Sequence, residues 1–325
     1  MRQRAGLSLF PLFAMGLLAG APASAQTWPT RAIHLVMPAP AGGNNDGIAR
    51  ILAQGMSDIL KVPVVVENRT GAGGATGTQY VATQPPDGHT LLFVFTGTIS
   101  IMPLLKQQPY DPRGSFLPVS MVATTPLVLV APKSLGVSDL EGFVKKAKEN
   151  PGKFNYSSAG IGTILHMAME AFRLKAGIDI VHVPYSNVPM IQPMLGNQVQ
   201  ASFDATISAA PHIESGALTP LAVTGAAQTA TLPGVPTMGE KGYPGMEPRL
   251  AWMGLMTPAG ASPDVVAKLN ATVRQVMGDP AIRDRVVKLG AEPMFGSPQD
   301  MRKFLDENEA FWRGVITGAK ISIDN

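Results

Sequence analysis

Cysteine is absent from the 325 residues of this chain. Its absence excludes disulfide bonds, thiolate metal sites and a cysteine nucleophile. Excess charge is also scarce. The formal net charge is +3, and without Arg2 and Arg4 near the start the remaining 24 lysines and arginines face 23 acidic residues. Nucleic acids and anionic membranes require a basic face, so we expect neither as a partner.

Long apolar runs are missing after residue 25, where none reaches the ~18 residues of a membrane span. Before that point a basic start, an apolar stretch from Ala5 to Gly20 and the small residues Ala23-Ser24-Ala25 are typical of a signal peptide. We expect residues 1–25 to be removed and the mature protein to begin near Gln26 in the periplasm. The alternative is an uncleaved anchor.

Catalytic and metal-binding motifs are equally scarce. The chain has no G-x-S-x-G motif, and its five histidines show neither H-x-x-x-H nor H-x-H spacing. The glycine loop at residues 71–77 carries Thr76 where a dinucleotide-binding loop needs glycine or alanine. We therefore expect a tight turn there and no cofactor. A metal site built from distant residues stays open.

Strand-like runs alternate with helical ones, which predicts an α/β fold with mostly parallel sheets covered by helices. The predicted strands are Ile33–Met37, Val62–Glu67, Thr90–Phe95, Leu127–Ala131, Phe154–Ser157, Ile180–Pro184, Ala201–Asp204 and Leu218–Thr224.

Two loops share one form: a strand ends, a glycine-rich turn follows and a helix begins. They are residues 37–46 (MPAPAGGNND) and 156–170 (YSSAGIGTILHMAME). Neither the first loop nor residues 157–166 of the second contains lysine or arginine, so an anion there would be held by backbone N–H groups, hydroxyls and positive helix ends. The alternative is that both are only tight turns. We expect Asp46 to cap the first helix, and His166 either to contact a ligand or to brace its loop.

The whole chain after residue 25 resembles one family, the Bug-type periplasmic solute-binding receptors associated with tripartite tricarboxylate transporters. The motifs that carry the resemblance occur in order: WPTRAIHLVMPAPAGGNND, VPVVVENRTGAGGATGTQYVA, PPDGHTLLF, QQPYDPRGSFLPVSMVA, NPGKFNYSSAGIGT, IVHVPY, LPGVPTMGEKGYPG and LNATVRQVMGDPAIRDRVVKLGAEP.

This resemblance implies a two-lobed type II Venus-flytrap receptor in which the chain crosses between lobes near residues 122–126 and 245–251. Lobe 1 would comprise residues 26–124 and 248–325, and lobe 2 residues 125–247. Two loops, one from each lobe, would grip a ligand carboxylate. The ligand-binding residues it implies are Pro40, Gly42, Gly43, Asn44, Asn45, Asp46, Thr96, Gly97, Ser158, Ala159, Gly160, Gly162, Thr163, His166 and Asp204.

Three positions depart from the family pattern: Asn44-Asn45, Ile164-Leu165 and Ser186-Asn187. The apolar pair favours a ligand with an apolar or aromatic body. We expect a monomeric receptor for a small mono- or dicarboxylate, serving membrane transporter subunits or a sensor, without cofactor or catalysis. The alternative is an exported enzyme that acts on a small carboxylate in the same cleft.

Overall fold

The computed structural model describes residues 28–185, 191–246 and 250–323. The predicted signal peptide and Ser186-Asn187 lie outside these residues. Within the described ranges, no helix combines the length and the apolar character that a membrane crossing demands.

The strands of the described residues form two sheets, with the orders β11-β4-β10-β3-β1-β2 and β7-β6-β8-β5-β9. In chain order they are β1 (Ile33–Met37), β2 (Val64–Asn68), β3 (Thr90–Phe95), β4 (Phe116–Thr124), β5 (Leu127–Pro132), β6 (Phe154–Ser158), β7 (Ile180–Pro184), β8 (Ala201–Ala205), β9 (Leu218–Val223), β10 (Trp252–Pro258) and β11 (Glu292–Pro293).

Helices cover both sheets, and a π-helical segment, Gly97–Ile101, follows β3. The helices are α1 (Asn44–Leu60), α2 (Ala75–Ala82), α3 (Met102–Leu105), α4 (Leu140–Glu149), α5 (Ile164–Ala176), α6 (Ile191–Leu195), α7 (Thr206–Glu214), α8 (Pro263–Gly278), α9 (Pro280–Lys288) and α10 (Pro298–Ala319).

The α/β class is confirmed, but the prediction of mostly parallel sheets is wrong because both sheets are mixed. β1 pairs in parallel with β2 and β3, and β6 pairs in parallel with β7 and β8. β10 runs antiparallel to β3 and β4, and β5 runs antiparallel to β8 and β9. The antiparallel pairs all involve a strand next to a point where the chain passes from one sheet to the other.

The sequence analysis missed β4 and β10, which lie side by side in the first sheet. Pro118 interrupts β4 and Gly254 interrupts β10, and both residue types weaken a strand pattern. The pairing of these strands shifts register on either side of Gly254-Leu255, so the irregular residues lie at bulges.

The chain leaves the first sheet at Thr124 and enters the second at Leu127, then returns between β9 and β10. Residues 247–249 of the second predicted crossing lie outside the described part. Helix α10 contacts both β4 and α5, and its residues Trp312 and Val315 are buried in the core of the second sheet. The boundaries of the two lobes stay a prediction.

Helix α1 is held against the first sheet by one apolar face. Ile48, Leu52 and Met56, spaced four residues apart, are fully buried with Ile33 and Leu35 of β1. This packing fixes the direction of α1, so its amino end lies where β1 ends.

Candidate ligand-binding site

The carboxyl ends of β1, β2 and β3 lie at one edge of the first sheet because these strands are parallel. The segments that follow them touch each other: a Cβ on Gly74 would lie 2.6 Å from Thr98 Cγ2 and 2.9 Å from the carbonyl oxygen of Pro38. We call residues 38–46 the first loop and residues 158–166 the second loop.

The first loop is shaped by Asp46, which is only 3% exposed. One carboxylate oxygen accepts a hydrogen bond from the N–H of Gly42 and another from Arg50 Nε, both at 2.9 Å. The other oxygen accepts from Asn68 Nδ2 at 2.9 Å. Asn68 also donates to the carbonyl of Ala39 at 3.0 Å. Asp46 therefore holds the loop, and its carboxylate is already surrounded by donors.

The charge of Asp46 is stabilised by these donors. Burial by itself would raise the pKa of Asp46, but the hydrogen bonds from Arg50, Gly42 and Asn68 lower it below its ordinary value of 3.8. A lowered pKa stabilises the fold at every pH above that ordinary value, and the contribution disappears only as the pH falls through the folded-state pKa.

The glycine turn before α1 is open to approach. Gly43 caps the helix without a side-chain hydrogen bond, and the N–H groups of the first turn have no helical acceptor. Pro40 is exposed, and a Cβ on Gly42 or Gly43 would meet no atom within 4 Å. Only Gly42 has a left-handed φ, +88°. The φ of Gly43, −78°, suits any residue. The predicted need for glycine at this position therefore comes from the access that a missing side chain gives a ligand to the backbone.

Asn44 connects the first loop to the segment between the sheets. Its Nδ2 lies 3.4 Å from Thr125 Oγ1. The next residue, Pro126, accepts a hydrogen bond from the N–H of Thr206 at 3.4 Å. The amino ends of α1 and α7 thus meet the same short crossing segment. Asn45 is half-buried in the first turn of α1.

The second loop closes on itself through Gly160. The N–H of Gly160 donates to Ser158 Oγ at 3.1 Å, and its carbonyl accepts from Thr163 Oγ1 at 2.7 Å. Thr163 caps α5, but its hydroxyl is not bonded to the helix amides. Ala159 is exposed, and a Cβ on Gly160 would meet no atom within 4 Å. The N–H groups of the first turn of α5 are again without a helical acceptor.

His166, in the first turn of α5, stabilises the second loop. It is 4% exposed, and its Nδ1 accepts the N–H of Gly162 at 3.4 Å. Burial lowers its pKa, which keeps the ring neutral. Of the two roles left open by the sequence, this geometry favours the bracing hydrogen bond.

The end of β3 reaches toward the second loop. The Thr96 hydroxyl accepts the N–H of Trp252 at 2.9 Å and is buried, so it joins strands. Gly97, half-buried, begins the π-helical segment that leads into α3. A Cβ on Gly162 would lie 2.9 Å from Leu105 Cδ1 in α3. Segment 96–105 therefore spans the distance from the first sheet to the second loop.

Asp204 lies at the same edge of the second sheet as Ser158, because β6 and β8 are parallel. Its Oδ1 accepts the N–H of Ala205 at 2.7 Å. Burial raises the pKa of Asp204 to about 6, although this hydrogen bond and His212 act against the shift. Asp204 is thus an acid that changes charge near neutral pH.

Three participants were missed by the sequence analysis: Asn68, Thr125 and His182. Each acts on a loop from a distant part of the chain. His182 Nε2 lies 2.6 Å from Ser158 Oγ. Only its position in a strand neighbouring the second loop could have indicated this contact.

The third glycine loop is a tight turn, as predicted. A Cβ on Gly77 would lie 2.6 Å from the carbonyl oxygen of Arg69 and 3.0 Å from Pro38 Cβ. Helix α2 therefore packs closely against the segments that follow β1 and β2. In the residues that the structure describes, no group of three or more histidines and carboxylates could hold a metal ion.

Comparison with known proteins shows the family of this chain. Residues 48–321 match the family described as tripartite tricarboxylate transporter family receptor, TctC. The chain belongs to this family.

The similarity to a curated relative covers almost the full length of this chain. BugT of Bordetella pertussis is 35% identical over 309 residues, which cover 93% of this chain and 94% of BugT. The resemblance to Bug-type receptors is therefore confirmed.

Solved structures of similar receptors have the same fold. The structure of R. palustris Rpa4515 with adipate is 33% identical with a TM-score of 0.77, and covers 91% of this chain and 99% of its own. The periplasmic binding protein BugD is 32% identical with a TM-score of 0.73 at 91% and 99% coverage. MatC of Rhodopseudomonas palustris with bound malate is 29% identical with a TM-score of 0.72 at 89% and 100% coverage.

Replacing Asp46 by alanine should destabilise the receptor, because Gly42, Asn68 and Arg50 lose a shared acceptor. We expect the free energy of unfolding, measured in urea, to fall by about 1–3 kcal/mol. Asp58→Ala, at an exposed position of the same helix, should change it by less than about 0.5 kcal/mol. Equal effects of the two substitutions would contradict the proposed support of the first loop.

Replacing Gly43 by valine should leave stability unchanged, because its φ is ordinary and its Cβ would meet open space. Binding at the first loop should weaken roughly tenfold or more, since the side chain would cover the amides of α1. Gly278→Val is the matched control, because a Cβ there also meets no atom within 4 Å. If calorimetry finds that Gly43→Val and Gly278→Val bind ligand with equal affinity, the first loop is not a binding surface.

Replacing Asp204 by asparagine should raise the melting temperature at pH 8 but not at pH 4. The pKa of the carboxyl is about 6 in the folded protein, against an ordinary value of 3.8. Its contribution to stability is thus complete below the ordinary value and is lost as the pH rises through about 6. If the difference in melting temperature between variant and parent is the same at pH 4 and pH 8, the raised pKa of Asp204 is wrong.

Proposed function

We propose that this chain is a periplasmic solute-binding receptor that captures a small organic acid between two lobes. One observation supports this most strongly: two helix amino ends, each preceded by a glycine turn open to approach, lie at the carboxyl edges of the two sheets. In this arrangement the backbone amides of α1 and α5 hold the carboxylate, with Ser158 and Thr163 shaping the second loop.

The strength of such a grip agrees with a transport receptor. Hydrogen bonds to a charged group contribute on the order of 1.5–3 kcal/mol each. Several of them, less the cost of ordering the ligand, give roughly −8 kcal/mol, which corresponds to micromolar affinity.

The ligand class is proposed to be a mono- or dicarboxylate with an apolar body. Rpa4515 was solved with adipate and MatC with malate. In this chain Ile161 of the second loop is 49% exposed, and Ile164 and Leu165 beside it are half-buried. An apolar chain such as that of adipate would cover these side chains and remove apolar surface from water.

The receptor is proposed to act after export and cleavage of residues 1–25, as a two-lobed Venus flytrap whose closed form is read by transporter subunits or a sensor. The two sheets, joined through residues 125–126 and through the return to β10, would form the lobes.

An enzyme in the same cleft is supported by one observation, the 2.6 Å contact between Ser158 Oγ and His182 Nε2, which has the spacing of a nucleophile and its base. Ser158 is fully buried, however, and its oxygen accepts the N–H of Gly160. A buried hydroxyl cannot approach a substrate, so binding without catalysis is the better supported function.

The carboxylate grip predicts a sharp dependence on ligand charge. Adipate should stabilise the purified receptor in a thermal-shift assay and bind with micromolar affinity in calorimetry. Its diamide, adipamide, has the same length without the charge and should bind at least roughly 30-fold more weakly, since two charge-assisted bonds become neutral ones. Affinities for malate and for a series of mono- and dicarboxylates would show which ligand body the site prefers. Equal affinity for acid and amide would refute the carboxylate grip.

A further inference from the structure

We propose that His182 is a positioning residue for the second loop: through its contact with Ser158 it sets the direction in which the amides of residues 159–165 point. This inference rests on the proposed function, because those amides are the second half of the carboxylate grip. His182 lies outside the two loops, on β7, which is an edge strand of the second sheet.

The hydroxyl of Ser158 has two acceptors within hydrogen-bonding distance. Ser158 Oγ lies 2.6 Å from His182 Nε2 and 3.2 Å from the carbonyl oxygen of Gly160. That carbonyl already accepts the hydroxyl of Thr163. His182 Nε2 is the closer of these two acceptors, so we assign the Ser158 proton to it, with the imidazole as its Nδ1–H tautomer. The serine oxygen then accepts the N–H of Gly160.

The ring of His182 is held in place by two neighbouring rings. Tyr156 stacks on it with centroids 4.9 Å apart, and His166 lies beside it at 4.3 Å. Since His166 in turn accepts the N–H of Gly162, the two histidines control two amides of one glycine turn. The orientation of His182 thus affects the loop by two routes.

Glu170 and Arg173, two charged groups beside this cluster, are paired with each other. Tyr156 donates to Glu170 at 2.5 Å, and Arg173 donates to the other oxygen of Glu170 at 2.8 and 3.0 Å. Lys320, from the segment after α10, lines the same pocket of about 390 Å³ as His166 and His182. Burial and the nearby His166 lower the pKa of His182 to about 4, so the ring is a neutral acceptor at neutral pH.

The first test needs no ligand. In a ¹H–¹⁵N NMR spectrum, His182→Leu should shift the signals of residues 159–165 and speed the hydrogen exchange of the Gly160 amide, because Ser158 loses its acceptor. Signals of the first loop should stay in place. His182→Gln offers an amide oxygen to Ser158 and should restore the parent pattern. Val181→Ala is the matched control, since Val181 is the preceding residue on β7 and is 46% exposed.

The second test follows the histidine itself. The hydrogen bond from Ser158 favours the neutral ring, so Ser158→Ala should raise the pKa of His182 above its parent value of about 4. The ring C–H signals of His182 report this titration directly. An unchanged midpoint in Ser158→Ala, or an unchanged second-loop spectrum in His182→Leu, would overturn the positioning role.

The third test measures binding of adipate by calorimetry. His182→Leu and Ser158→Ala should each raise the Kd roughly tenfold, the double variant should lose little more than either one, and Val181→Ala should match the parent. Additive losses would overturn the proposal. If adipate and the other carboxylates fail to bind the parent, the proposed function is wrong, and the two NMR tests still decide whether His182 positions the loop.

Discussion

The carboxylate of Asp46 is the interaction on which the first half of the binding site depends. It accepts a hydrogen bond from the N–H of Gly42, and this bond stabilises the sharp turn of the chain before α1. A negative group so close to a proposed anion site would repel the ligand if it were unpaired. Arg50 and Asn68 occupy its remaining acceptor positions, so the helix amides beyond it remain the nearest unpaired donors of the first loop.

The second loop reaches the same result with neutral side chains. His166 and His182 accept hydrogen bonds from the second loop and carry no charge at neutral pH. The nearby charges of Glu170 and Arg173 are paired with each other. Both loops therefore offer oriented amides without a free side-chain cation of their own. A preorganised set of amides does not have to be reordered when the ligand arrives, which reduces the entropic cost of binding.

Much of this site could be predicted from sequence because its principal features are local. A strand followed by glycines and a helix start is visible in consecutive residues, and both loops were found in this way. The strands β4 and β10 were missed because proline and glycine interrupt them. The contact between Ser158 and His182 joins residues 24 positions apart, and the contact between Asn44 and Thr125 joins residues 81 positions apart. Such contacts depend on the order of the strands in each sheet. That order cannot be predicted from the composition of the sequence or from the spacing of its residues.

The proposed grip of backbone amides would also separate affinity from selectivity. Amides are present whatever side chains the loops carry, so substitutions around the site can change which body is accepted while the carboxylate stays held. In the proposed grip we expect that choice to depend on Ile161, which is exposed on the second loop, and on Asp204, whose pKa is about 6, at the same sheet edge. Ile161 favours apolar carbon, and the ionised form of Asp204 disfavours a second negative charge. Selectivity between mono- and dicarboxylates should therefore depend on the charge of Asp204.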